Sequence, residues 1–283
     1  MAGKVLKKKK TTWLFTLILA LGAIISMLPM IYMLSTALRP NGALYEFPPR
    51  FFPRMENVTL ENFQYILSQS KFLRNFLNSL AVSLTTIAAA ASVSSAMAYA
   101  LGRFQFWGKS FLFSLIILTM IIPGMTMIVP QFELAVQLGL VNRLFGLVPF
   151  YVAWVIPFST FMIKGYVEGI PKEIFEASFI DGASIIMVYR SIVLPLAAPA
   201  IASVSIFNFL TAWEEYPWAN TVINNTELRT LPIAIAGFFG QHQFTQWGYV
   251  FAMSTLTLLP VVALFIVFQR YFVQGLTAGS VKG

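Results

Sequence analysis

The stretch "EASFIDGASIIMVYRSIVLP", Glu176 to Pro195, interrupts a chain otherwise built from long apolar runs. Glu176, Asp181 and Arg190 bring charge, Gly182 separates two helix-like pieces, and Pro195 closes the run. Just upstream, Pro171 suits the first turn of a helix whose polar face is Lys172, Glu173, Glu176 and Asp181. Ile174, Phe175, Ala177, Phe179 and Ile180 supply apolar surface beside it. Gly182 permits a sharp change of direction, at a helix C-terminus or in a close crossing. A second apolar piece, Ile185 to Leu194, leads into the next long apolar run. The pattern predicts a short, partly exposed helix and a turn, suited to lipid headgroups or to a groove on a soluble partner. The acidic residues disfavour anionic lipid and favour the partner.

The surrounding composition demands a membrane. The 283 residues are 58% hydrophobic and 11% charged, with a mean hydropathy of +0.74; soluble domains carry about 25% charged residues. With no cysteine, disulfides, thiolate metal sites and cysteine nucleophiles are excluded, and the single histidine, His242, argues against a histidine metal site or triad. The net charge of +8 invites a nucleic-acid reading, but five lysines lie in "MAGKVLKKKK" beside an apolar span. That placement reads as a cytoplasmic anchor, with no nucleic-acid partner. The charge-free run from Thr11 to Leu38 exceeds the roughly 7–15 residues of a signal-peptide core and reads as a retained transmembrane helix.

Gaps between charges of about 20 residues mark further spans. Helices are expected near 13–36, 73–101, 111–131, 145–164, 196–217 and 248–270. With the N-terminus inside, twelve cations (Lys4, Lys7, Lys8, Lys9, Lys10, Arg103, Lys109, Lys164, Lys172, Arg190, Arg270, Lys282) face the cytoplasm. Seven (Arg39, Arg50, Arg54, Lys71, Arg74, Arg143, Arg229) face outward. That bias favours an N-in, C-in chain and puts 171–195 in the cytoplasm. The proline-rich loop 37–72 ends in "TLENFQYIL", an expected surface helix capped by Thr59. Small residues in "TTIAAAASVSSAMAYA" suit close helix packing, within the chain or with another membrane subunit. Pro123, Pro130, Pro149, Pro157 and Pro199 are expected to act as ordinary helix kinks.

Catalytic signals are weak. "GRFQFWGKS" has five residues between Gly102 and Gly108 where a phosphate-binding loop needs four. The pairs Glu214–Glu215 and Glu173–Glu176 lie at span edges or in a loop, where solvated charge is the ordinary state. No ionisable residue falls near the middle of a span, which argues against an ion-coupled carrier powered within this chain.

The spacing Glu176-Ala177-Ser178, three residues, Gly182, nine residues, Ile192-x-Leu194-Pro195 resembles the "EAA" motif of permease subunits of binding-protein-dependent ABC importers. Ser178 stands where that family more often has alanine. "FQRYFVQGLTAGSVKG", "RTLPIAIAGFFG", "TQWGYVFAMSTLTLLP" and "NFLTAWEEYPWANTVI" resemble the MalG-type carbohydrate permeases, with Glu214 replacing the usual asparagine. The resemblance implies an all-α membrane protein of the type I ABC importer permease fold, with six transmembrane helices and a cytoplasmic coupling helix. Its parts would be a basic N-terminus 1–12, a first span 13–36, an extracytoplasmic loop 37–72, a five-helix core 73–270 and a tail 271–283. The core would include the coupling segment 171–195 and an outer loop 218–247.

The implied partners are a MalF-like permease subunit, two MalK-like ATPases that bind ATP and Mg, and an extracytoplasmic solute-binding protein delivering a sugar. The chain itself would be no enzyme and would hold no cofactor or metal. The resemblance assigns ATPase coupling to Glu176, Ala177, Asp181, Gly182, Ile192, Leu194 and Pro195. It assigns a further ATPase contact to Gly275, Leu276, Thr277, Gly279, Lys282 and Gly283, where a frayed tail is the alternative. Gly240, Gln241, His242 and Gln243 would meet the binding protein, or form an ordinary surface loop. Asn208, Trp213 and Tyr216 have amide and aromatic chemistry suited to a sugar cavity, but the partner subunit is implied to hold most of the sugar, so packing or a cavity lining without direct contact is the expected role. A non-sugar solute such as a glycerophosphodiester or polyanion, or a channel or secondary carrier, are the rival readings.

Overall fold

The computed structural model describes residues 2–41, 47, 50–68, 71–239 and 245–278, with side chains described within 13–269. Twelve α-helices are present among them: α1 (Ala2–Ala37), α2 (Glu61–Ser68), α3 (Phe72–Arg103), α4 (Lys109–Thr119), α5 (Ile128–Gln137), α6 (Val148–Glu168), α7 (Lys172–Ile180), α8 (Ile185–Val188), α9 (Leu194–Glu214), α10 (Pro217–Val222), α11 (Leu231–Ala236) and α12 (Trp247–Ala278). Five helical stretches are long and apolar enough to cross a membrane: Trp13–Ala37, Phe72–Arg103, Leu144–Glu168, Ile185–Glu214 and Trp247–Gln269.

A sixth span exists only if α4 and the stretch Gly124–Gln137 are counted together, because they meet at 95°. The sequence pattern predicts one helix over 111–131, and the structure breaks it. α4 ends at Thr119, and Pro123, with no N–H to donate and an extended ψ of 123°, keeps it from resuming in the same direction. A 3₁₀ turn, Gly124–Met127, then restarts the chain in a new direction. Pro123 is therefore a break and not a gentle kink. At the other end of the chain, α12 carries on to Ala278, so 271–278, expected as the start of the tail, is helical. No proline follows Pro260 to stop it.

The chain forms two units. One comprises Met1–Phe72 with Ile235–Leu258. Its polar node is Asn62, which donates to Ala37 O (2.8 Å) and Arg39 O (2.6 Å), the unpaired carbonyls at the end of α1. Asn41 donates to Asn62 Oδ1 (3.2 Å) and accepts from Gly248 N (2.8 Å). A Cβ on Gly248 would lie 2.5 Å from Asn41 Oδ1 and 2.7 Å from Asn62 Oδ1, so a larger residue would have to push both amides aside. Tyr65 stacks on Tyr249 at 4.1 Å between ring centroids. α2 begins at Glu61, one residue later than a Thr59 cap implies: Leu60 O accepts the first helical bond, from Gln64 N, and Thr59 Oγ1 accepts from Glu61 N at 3.1 Å just outside it.

The other unit comprises Leu73–Ala234 with Leu259–Gly283. The small-residue helix α3 carries a fully buried row, Val82, Thr86, Ala90, Ser94 and Ala98, at four-residue intervals that place it on one face. Two apolar clusters sit at opposite ends of α6. One gathers Leu147, Phe150 and Tyr151 with Trp218, Ala219 and Val222. The second gathers Ile163 and Val167 with Tyr99, Phe175, Val188 and Val193, and it positions the segment 171–195.

Candidate functional site

The segment 171–195 folds as a helix, a glycine turn and a second helix. Pro171 precedes α7 in an extended conformation. At the other end, Ala183 N bonds Ser178 O (3.0 Å) and Gly182 N bonds Phe179 O (3.1 Å). This pair of bonds closes a helix through a left-handed residue, and Gly182 supplies it with φ +81°. A Cβ on Gly182 would meet no atom within 4 Å, so the glycine answers a backbone requirement and not a packing one. Ser184 then caps α8, its Oγ accepting from Met187 N at 3.3 Å. Between α8 and α9, Tyr189–Val193 forms a π turn, which the sequence pattern does not predict. Such turns insert one extra residue into a helix and concentrate at functional positions.

One side of α7 is held and the other is free. Phe175 is 5% exposed. Its ring lies 4.1 Å from the guanidinium carbon of Arg103 and stacks on Tyr99 with 6.3 Å between centroids. Glu173, Glu176, Ala177, Asp181 and Gly182 are exposed, and Ile180 is 85% exposed. Ile185, Ile186 and Met187 extend the exposed apolar surface. The expected coupling residues thus divide into two sets. Glu176, Ala177, Asp181 and Gly182 form an outward acidic and apolar face, while Ile192 and Leu194 are half-buried in the joint leading to Pro195 and α9.

Arg103, Tyr99 and Tyr189 escaped sequence reasoning as members of this site. Arg103 Nη2 donates to Val167 O and Ile170 O at the end of α6. Tyr189 hydroxyl and Ser95 Oγ share a hydrogen bond of 2.7 Å. The available signal was the spacing Ser95, Tyr99, Arg103, which puts three polar-tipped residues on one helical face.

The possible substrate-cavity residues sit on or near α9. Asn208 is 1% exposed, donating to Ser159 Oγ at 3.0 Å between α9 and α6. Trp213 is also 1% exposed, stacked on Phe209 and edge-on to Phe76. Both serve helix packing in this conformation, and Tyr216 alone of the three is open to solvent. A cavity of about 220 Å³ lies elsewhere, lined by Gly124, Met125, Ile128, Trp154, Glu215, Pro217 and Trp218. Glu215 is no free carboxylate: it accepts from Tyr151 Oη (2.7 Å), Trp218 N (2.7 Å) and Ala219 N (2.9 Å), tying α6 to the start of α10. Gly240, Gln241, His242 and Gln243 lie outside the described residues, as do Gly279, Lys282 and Gly283. Gly275, Leu276 and Thr277 are described only as α12 backbone.

Residues 92–278 match the family of binding-protein-dependent transport system inner membrane components, a range that contains the entire segment 171–195. The chain belongs to that family. The arabinooligosaccharides transport system permease protein AraQ of Halalkalibacterium halodurans is 33% identical over 287 residues, covering 98% of this chain and 100% of that one. The trehalose/maltose transport system permease protein MalG of Thermococcus litoralis is 34% identical over 267 residues, covering 92% and 93%. A crystal structure of a bacterial ABC transporter involved in import of the acidic polysaccharide alginate shares the fold, with TM-score 0.76 at 20% identity over 93% of this chain and 97% of that one.

This permease is a multi-pass inner membrane protein. It works with a binding protein, an ATPase and a second permease subunit, and it is not itself an enzyme. Membership disfavours the channel and secondary-carrier readings.

Proposed function

We propose that this permease admits a sugar or oligosaccharide, released by an extracytoplasmic binding protein, and passes it to the cytoplasm by alternating access. The supporting observation is that relatives aligned over nearly the whole chain, AraQ and MalG among them, are named for arabinooligosaccharide and trehalose/maltose transport. In this reading the chain lies N-in and C-in and pairs with a MalF-like subunit. Two MalK-like ATPases bind ATP and Mg, and their closure moves the segment 171–195. The exposed face of Glu176, Ala177, Asp181 and Gly182 docks in an ATPase cleft, with Ile192, Leu194 and Pro195 as the joint to α9. The tail residues Gly275 to Gly283 enter between the ATPases, and Gly240 to Gln243 meet the binding protein. A rigid contact of this kind lets two sites bias one two-state element.

The test is reconstitution of the whole complex in liposomes with its binding protein. Arabinotriose, maltose, trehalose and melibiose are offered singly, beside a glycerophosphodiester. The reading expects at least one sugar to raise ATP hydrolysis and to accumulate inside. Stimulation by the phosphodiester with none by any sugar assigns the permease to a different solute class.

A further inference from the structure

Ser95, Tyr99 and Arg103 recur every four residues at the end of α3, so their side chains line one face. Each grips the segment 171–195 or its support. Ser95 holds the Tyr189 hydroxyl at 2.7 Å. The Tyr99 ring stacks on Tyr189 at 5.8 Å and on Phe175 at 6.3 Å. Arg103 covers the Phe175 ring and donates to the carbonyls of Val167 and Ile170. Those carbonyls lie at and just past the end of α6, where the helix dipole favours a cation, and Val167 O also accepts from Ile170 N at 3.2 Å. The strip therefore touches the segment on both sides of the Gly182 turn, at Phe175 before it and at Tyr189 after it. A grip at one point leaves rotation free, whereas a grip at two points separated by a turn fixes orientation.

We propose that the Ser95–Tyr99–Arg103 strip is the transmission contact through which displacement of α7 carries α3 and the end of α6 with it as one body. Arg103 is its positioning residue. The proposal rests on the importer reading, because it needs a motor that moves α7. Arg103 suits the task because its planar fork reaches two carbonyls while its face lies over a ring, which an ammonium cannot reproduce. Tyr189 lies in the π turn, so the grip holds the segment on the near side of the joint to α9.

The chain contains no cysteine, so cysteines introduced at Lys172 and Ser92 carry spin labels on α7 and α3 in a complex with cysteine-free partners. Distances are read without nucleotide and after trapping with ATP and vanadate. Hydrolysis is measured with the binding protein and a mixture of arabinotriose, maltose, trehalose and melibiose. The parent complex should keep one narrow distance in both states. Arg103→Gln and Phe175→Leu should broaden or shift it on trapping, and stimulation of hydrolysis should fall about tenfold, within the range by which mutations along a coupling network act. Arg103→Lys should give an intermediate loss. If Arg103→Gln does not assemble, Phe175→Leu and Arg103→Lys decide the matter. An unchanged narrow distance with stimulation intact in the assembled variants overturns the proposal. Absence of any ATPase response in the parent instead overturns the importer reading and this proposal with it.

Discussion

Replacing Gly182 separates what the turn demands from what a docked partner demands. Gly182 sits at φ +81°, and a Cβ there would meet nothing within 4 Å. Within this chain a side chain therefore costs only the left-handed conformation, about 1–2 kcal/mol for an L-residue and less for asparagine. Such a cost weakens the turn by a factor of about 5–30. Gly182→Ala should accordingly impose only that backbone cost and Gly182→Trp shares it, while a docked ATPase surface would meet the added bulk of the indole. The predicted order of coupling is parent, then asparagine, then alanine, with tryptophan far below. The assay is the ratio of sugar accumulated to ATP hydrolysed in reconstituted complexes, with permease abundance in the membrane as control. Tryptophan should leave abundance close to that of alanine and yet uncouple hydrolysis from uptake. Parent-like coupling by the tryptophan variant would remove Gly182 from the docking face. A collapse of abundance with tryptophan alone would show a clash inside the chain and refute the open space on which the argument depends.

Glu176→Lys reverses an exposed charge on the free face of α7 and should reduce ATPase recovered with the permease; undiminished recovery excludes Glu176 from that contact. Asn208→Ala leaves Ser159 buried without its partner and should cost about 1–3 kcal/mol in detergent unfolding. The pair Ser159→Ala with Asn208→Leu should lie closer to the parent, and simple additivity of the two losses would contradict the pairing. Glu215→Gln has one acceptor oxygen for three donors, so a melting temperature equal to the parent's would show that the cap contributes nothing. Gly248→Ala drives a Cβ into Asn41 and Asn62 and should lower thermal stability; an unchanged melting point would mean that both amides move aside freely.

The spans were legible because bilayer thickness imposes a length and charge is expensive inside it. The break at Pro123 was not, since proline in a membrane helix can bend or end it depending on which neighbours satisfy the freed backbone groups. Lys172 to Pro195 announced a helix, a turn and a joint through Pro171, Gly182 and the apolar run. The π turn at Tyr189–Val193 left no such mark, because it depends on packing against Ser95 and Tyr99, residues about ninety positions away. Packing is the expected role of Asn208, but its partner was hidden by distance in sequence. An amide on an apolar span suits a solute cavity and an interhelical bond equally well, and Ser159 across the contact decides between them.

The division of α7 into a held side and a free side limits how this segment can act. Phe175 is anchored by a cation and a tyrosine, so motion of α7 independent of α3 and α6 would have to break the ring contact with Arg103. The free side combines Glu173, Glu176 and Asp181 with Ile180, Ile185, Ile186 and Met187, which are costly to leave in water and, beside the carboxylates, poorly matched to anionic lipid. A protein surface with basic groups around an apolar cleft satisfies both requirements at once. Work delivered to that face would reach α3 and the end of α6 through Arg103 and Phe175, and α9 both through the π turn and through its packing on α6. The helices that follow such a displacement should therefore be α3, α6 and α9 together, because α9 is packed on α6 along its length.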